Sequence, residues 1–102
     1  VVLMSSAAAL GPRAYWGAYA VSKAGIEAMG RAWAAESEKT KIKINMIDPG
    51  GTRTRMRAAA FPGEDPLTLP TPEDISPAFV ALMRDDCPDN GELIKARDYI
   101  ST

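Results

Sequence analysis

Two short β-prone apolar runs, held apart by one long helical pattern, constrain this chain more than any other feature. Val1–Met4 is a continuous apolar run that opens on two β-branched residues, as suits a strand buried inside a parallel sheet. Ser5 and Ser6 close it, and Gly11-Pro12-Arg13 breaks the chain. Tyr15-Trp16-Gly17 then leads into a helix from about Ala18 to Lys39. In it Val21, Ala24, Ala28, Met29, Ala32 and Ala35 recur at three- and four-residue steps among strong helix formers. Lys41-Ile42-Lys43-Ile44-Asn45-Met46-Ile47 alternates and then turns apolar, the pattern of a second strand. A crossover of this length makes the two strands parallel, with right-handed connections expected.

Asp48-Pro49-Gly50-Gly51 ends the second strand sharply. Residues from about Arg57 to Pro70, with Pro62, Gly63 and Pro66 among them, read as a loop. Thr71-Pro72-Glu73-Asp74 has a cap, a proline at the first helical position and acids in the first turn, so a helix begins there. Pro77 removes a backbone donor one turn later. Either the helix kinks, or Ser76 caps a shorter one beginning at Pro77. Asp89-Asn90-Gly91 is a turn and Glu92–Ala96 a last strand.

The order strand, helix, strand, helix, strand gives an α/β fold: part of a Rossmann-type, doubly wound parallel sheet spanning residues 1–102, without repeats or a second domain. Ligands of such sheets sit beyond the carboxyl ends of the strands. Ser6 and the Pro49-Gly50-Gly51 turn both fall at that edge. The chain also opens at Val1 directly into a strand, which reads as a piece of a longer polypeptide. Alone, it is expected to be inactive and poorly folded, with a strand edge and sheet faces left uncovered.

Composition excludes several classes of function. Twelve basic residues against thirteen acidic ones leave a net charge of −1, which argues against nucleic acid or an anionic membrane as partner. Histidine is absent and Cys87 is the single cysteine. Together these remove His-based nucleophilic systems, most zinc sites and an intramolecular disulfide; no metal is expected. The apolar opening is too short for a signal peptide or a membrane span, and a cytosolic setting is the default.

Tyr19 and Lys23 stand four apart near the start of the long helix and so share one face. A phenol titrates near 10, and serving as a base near pH 7 needs roughly 4 kcal/mol of preference for phenolate. An ammonium about 4 Å away supplies ~4 kcal/mol at an effective dielectric near 20. The helix amino terminus adds about 0.3–1 kcal/mol. Tyr-x-x-x-Lys is a common pattern and by itself describes many bland surface pairs. Its company makes it informative: Ser6 at a strand end, and the run Asp48-Pro49-Gly50-Gly51-Thr52-Arg53-Thr54 with its glycines and hydroxyls.

Ser5-Ser6, Tyr19-Ala20-Val21-Ser22-Lys23, and Asn45 through Pro49-Gly50 to Thr54, in that order and spacing, resemble the short-chain dehydrogenase/reductase family. Trp16-Gly17-Ala18-Tyr19, Pro49-Gly50-Gly51-Thr52-Arg53-Thr54 and Glu64-Asp65-Pro66 resemble its YciK-type bacterial branch of oxidoreductases. The resemblance implies hydride transfer between NAD or NADP and a small carbonyl or secondary-alcohol substrate. Tyr19 would be the general acid/base. Lys23 would favour the ionised phenol and hold the nicotinamide ribose, and Ser6 would orient the substrate oxygen. With Tyr19 and Lys23, the residues Pro49, Gly50, Gly51, Thr52 and Thr54 would line the cofactor, and the loop from Arg57 to Pro70 would be the substrate lid. Ala9 stands where the family often has glycine. The glycine-rich turn, the residue choosing NAD or NADP and an upstream asparagine have no counterpart in these residues, which would form the carboxy-terminal half of the domain. A homo-oligomer is expected, through the alanine-rich helix.

Other candidates have plain alternatives. Arg53, Arg55 and Arg57 would touch cofactor phosphates or an anionic substrate, or else form a solvated basic stretch. Cys87 reads as a loop thiol, Ser22 as a packing residue, and Met29 and Trp33 as core or subunit contacts. A non-catalytic binding or regulatory module that kept the fold is the alternative class. Nucleic-acid binding through the arginines has little support from the charge.

Overall fold

Three parallel strands, β1 (Val2–Met4), β2 (Asn45–Asp48) and β3 (Leu93–Lys95), lie side by side in that order. This computed structural model describes residues 1–6 and 14–99; the Gly11-Pro12-Arg13 break and Ala9 lie outside them. In register, Leu3 stands opposite Met46 and Ile47 opposite Ile94. β2 is the central strand, with Met46 and Ile47 fully buried. β1 is an edge strand among the described residues and less buried than its apolar run suggests, with Met4 44% exposed. The second strand also starts later than its alternating pattern suggests. The Ile44 amide donates to Asn90 Oδ1 (2.9 Å) and its carbonyl accepts from the Gly91 amide (2.7 Å), so the 89–91 turn takes these groups before the strand begins.

Helix α1 (Gly17–Glu36) packs on the sheet through Ala20, Glu27, Gly30 and Ala34. A Cβ on Gly30 would lie 2.5 Å from Met46 Sδ and 3.2 Å from Leu3 Cδ1, so the close helix–sheet approach depends on that glycine. The apolar residues singled out by periodicity mostly face outward: Val21 is 73% exposed, and Ala24, Ala28, Ala32 and Ala35 are exposed as well. Ala20, Gly30 and Ala34 are small, and Glu27 is the one long side chain among the four buried residues.

Helix α2 (Arg55–Ala60) occupies part of the segment expected to be loop; Thr54 caps it by accepting from the Arg57 amide. A short 3-10 turn follows at Pro66–Thr68. Helix α3 (Pro72–Met83) begins with a complete capping box: Thr71 Oγ1 accepts from the Asp74 amide, and Asp74 Oδ2 accepts from the Thr71 amide. It then runs unbroken through Pro77. The Ser76 hydroxyl donates to the Glu73 carbonyl at 2.9 Å, supplying the hydrogen bond that proline cannot.

Ile75, Ala78 and Leu82 of α3 cluster with Ile47, Ala96 and Cys87, so the cysteine is a core residue and not merely a loop thiol. Adjacent strand residues point to opposite faces. Met46 and Leu3 meet α1, whereas Ile47, Val2 and Ile94 meet α3, so the two helices cover opposite faces of the sheet. With the strands in sequential order, the two crossovers cannot share one hand, and the expectation of two right-handed connections fails. The right-handed rule describes a helix that returns directly to the sheet; the β2–β3 connection first detours through residues 49–71. Among the described residues, no helix is long and apolar enough to cross a membrane.

Candidate active site

The β1–β2 ladder continues one residue beyond β1, where the Ser5 amide donates to the Ile47 carbonyl at 2.7 Å. Ser5 is turned inward and 1% exposed, while Ser6, next along the chain, is half-buried at the carboxyl end of the strand. Of the two serines, Ser6 is the accessible one. Lys23 reaches this same strand end, with its ammonium donating to the Met4 carbonyl at 3.3 Å. The Lys23 nitrogen also lies 5.7 Å from the centroid of the Tyr19 ring. One lysine therefore links the first turns of α1 to the strand that carries Ser6. Ser22, between the pair, donates to the Tyr19 carbonyl at 2.7 Å and serves the helix backbone.

The Asp48-Pro49-Gly50-Gly51 turn closes β2 at the same edge. Asp48 Oδ1 accepts from the Gly50 amide (2.9 Å), and Gly50 adopts φ +69°, a conformation that favours glycine. The Arg97 guanidinium lies over it: a Cβ there would be 2.7 Å from Arg97 Nη2. Thr52 donates to the Gly50 carbonyl at 3.3 Å, and the Thr54 hydroxyl is engaged as the α2 cap. The glycine turn and Lys23, which has two ammonium donors beyond the one on Met4, both lie at the carboxyl edge of the sheet.

Two of the three arginines considered for phosphate or anion contact are occupied within the chain. Arg53 donates from Nε to the Pro66 carbonyl (2.9 Å) and from Nη2 to the Leu69 carbonyl (3.1 Å). Arg57 makes a two-pronged ion pair with Glu64, at 2.8 and 2.9 Å, and stacks 3.9 Å from the Phe61 ring centroid. The hydrogen bond from Arg57 holds the Glu64 carboxyl below its ordinary value, and Glu64 raises Arg57 in return. Arg55 is exposed on α2.

Several site features escaped the sequence. The Trp16 ring meets Tyr19 and Phe61 edge-on, each at 5.9 Å between centroids. Arg97 sits on the glycine turn from a position far along the chain. Glu27 is 4% exposed, and its Oε1 has no hydrogen-bond partner among the described residues. The seven-residue spacing of Ala20, Glu27 and Ala34 was the available signal that this carboxylate faces the sheet. Met29 and Trp33 are 38% and 41% exposed, which places them outside the core. Among the described residues, no group of three acidic or cysteine side chains is placed to hold a metal.

The family model for short chain dehydrogenase matches residues 1–65. The chain belongs to the short chain dehydrogenase family. It is 50% identical over 86 residues to the uncharacterized oxidoreductase YciK of Escherichia coli (strain K12), a match covering 84% of this chain and 34% of that protein. A short chain dehydrogenase structure from Salmonella enterica serovar Typhi superposes with a TM-score of 0.89 at 46% identity, over 94% of this chain and 40% of that one. The yciK oxidoreductase structure from E. coli gives 0.87 and 46%, over 94% of this chain and 39% of the other. A Shigella flexneri 2a short chain dehydrogenase solved with NADP gives 0.87 and 45%, over 94% and 40% of the two chains. The chain thus spans well under half the length of these short chain dehydrogenase relatives. The shared architecture is the partial Rossmann-type α/β sheet described above.

Proposed function

We propose that these residues are the catalytic half of a nicotinamide-dependent oxidoreductase that reduces a carbonyl or oxidises a secondary alcohol. The observation that carries this reading is the Lys23 bond to the Met4 carbonyl, which joins the Tyr19–Lys23 face of α1 to the strand ending in Ser6. Tyr19 would pass a proton between its hydroxyl and the reacting oxygen. Lys23 would place positive charge beside that hydroxyl and hold the cofactor ribose. The Ser6 hydroxyl would donate to the substrate oxygen as charge develops on it. Pro49, Gly50, Gly51, Thr52 and Thr54 would border the nicotinamide, which supplies or accepts the hydride when bound. NADP is the favoured dinucleotide, because relatives from Shigella flexneri and E. coli CFT073 were solved with NADP and NADPH.

The rest of the dinucleotide grip would come from an amino-terminal half of the same domain. The outward face of α1, with Val21, Ala24, Ala28 and Ala32 exposed, is suited to a second copy of the chain. The single cysteine accords with a cytosolic setting. The test is Tyr19→Phe in the intact protein. Turnover of any accepted carbonyl should fall by about a thousand-fold while NADPH binding, followed by its fluorescence, is retained. Unchanged turnover would rule the reading out.

A further inference from the structure

A continuous line of side chains runs from Tyr19 into the segment that follows β2. The Trp16 ring stands edge-on to Tyr19 at 84° and to Phe61 at 63°. Phe61 is in turn stacked by the Arg57 guanidinium, and Arg57 is pinned by both oxygens of Glu64. Trp16 and Phe61 are both half-buried, so part of each ring is still accessible. Edge-on aromatic pairs at this separation are attractive beyond the area they bury, and the fork-shaped Arg57–Glu64 pair restricts the segment that carries Phe61. Of the segment's three arginines, two are engaged within the chain and Arg55 is exposed on α2. Arg53 is satisfied by the Pro66 and Leu69 carbonyls, Arg57 by Glu64, and the same segment exposes Met56 (69%) and Leu67 (77%).

From this juxtaposition we infer that Trp16 and Phe61 form an apolar wall of the Tyr19 site, and that it receives the non-reacting, aromatic or bulky apolar substituent of the substrate. The inference rests on the oxidoreductase reading and deepens it: the substrate is a secondary alcohol or ketone carrying an apolar group beside the reacting carbon, not a small anionic hydroxy acid. Phe61 is a specificity residue. Trp16 is a positioning residue that joins the wall to Tyr19.

The test uses the intact protein with NADP present, and the part of the emission that Trp16→Phe removes is taken as the Trp16 signal. 1-Phenylethanol, 2-propanol and lactate are titrated separately. A saturable change with 1-phenylethanol, and none with lactate over the same concentrations, supports the wall. Phe61→Ala should weaken the 1-phenylethanol response by about ten-fold, as expected for loss of one ring contact, and leave 2-propanol unaffected. Phe61→Gln, similar in reach but polar, should weaken it similarly and guards against a folding defect in the alanine variant. A non-saturating response, an equal response to lactate, or an unchanged midpoint in the glutamine variant would overturn the inference. Adding Tyr19→Phe separates the two ideas. It should abolish 1-phenylethanol oxidation and keep the saturable response, so retained oxidation defeats the catalytic reading and a lost response defeats the wall.

Discussion

The Lys23 ammonium donates to the Met4 carbonyl at 3.3 Å, fixing a cation on α1 to the last residue of β1, two positions before Ser6. Lys23→Met removes both the tie and the charge. The expected result is a loss in kcat/KM of about a hundred-fold or more, with NADPH binding weakened as well. Tyr19→Phe should affect turnover alone. Lys23→Arg keeps the charge but presents a planar fork in place of a compact ammonium, so only partial activity is expected. Full activity in Lys23→Met, from steady-state kinetics, would remove the lysine from the mechanism.

Two carboxyls make stability fall in acid. The Arg57 hydrogen bond holds Glu64 below its ordinary 4.5, and hydrogen bonds from the Thr71 backbone and hydroxyl hold Asp74 below 3.8. A carboxyl depressed in the folded state binds its proton less readily there than when unfolded. Its stabilising contribution is therefore complete above the ordinary value and is lost as pH falls through the lower, folded one. Urea midpoints between pH 7 and pH 3 should fall for the wild type, with a shallower fall for Glu64→Gln and for Asp74→Asn. Identical slopes in all three would show that neither carboxyl is held as described.

The helix α3 start was legible because its signals are local. Thr71, Pro72 and Asp74 act on backbone groups within one turn, and the capping box follows from their order. The catalytic candidates were legible for a similar reason, since Tyr19 and Lys23 sit four apart on one helix. What stayed hidden depends on partners far along the chain. The inner face of α1 is set by Met46 and Leu3, which require Gly30; counting apolar residues selected Val21 and the alanines instead. Arg53 and Arg57 look like spare cations until their partners at Pro66, Leu69 and Glu64 are seen. Handedness needed both helix faces at once, and no single segment records that.

Gly25 and Gly30, five residues apart on α1, should respond oppositely to alanine. A Cβ on Gly25 would meet nothing within 4 Å, so Gly25→Ala gains helix propensity, about 0.5–1 kcal/mol. On Gly30 the same Cβ would press on Met46 Sδ at 2.5 Å and Cγ at 3.1 Å. Overpacking of about 1–3 kcal/mol then outweighs the propensity gain. Chemical denaturation of the two variants should give shifts of opposite sign. A stabilised Gly30→Ala would mean that α1 stands farther from the sheet than described.

Thr71→Ala isolates the capping box. It removes the hydroxyl that accepts from the Asp74 amide at 3.2 Å, while the Thr71 amide still donates to Asp74 Oδ2. A loss of about 1 kcal/mol is expected, and Thr71→Ser, which keeps the oxygen, should recover most of it.

Gly50 tests whether backbone geometry or side-chain space governs the turn that closes β2. Gly50→Ala meets two obstacles: φ +69°, and Arg97 Nη2 at 2.7 Å from the new Cβ. Arg97 is exposed and its guanidinium is the mobile end of a long side chain, so it can withdraw cheaply. The left-handed conformation cannot be relieved that way, and it costs roughly 1–2 kcal/mol for a residue with a Cβ. Most of the destabilisation should therefore persist in Gly50→Ala/Arg97→Ala relative to Arg97→Ala alone. The four proteins of this double-mutant cycle, compared by urea midpoints, yield the coupling directly. A coupling as large as the whole Gly50→Ala penalty would show that the guanidinium, and not the backbone, demands glycine at this position.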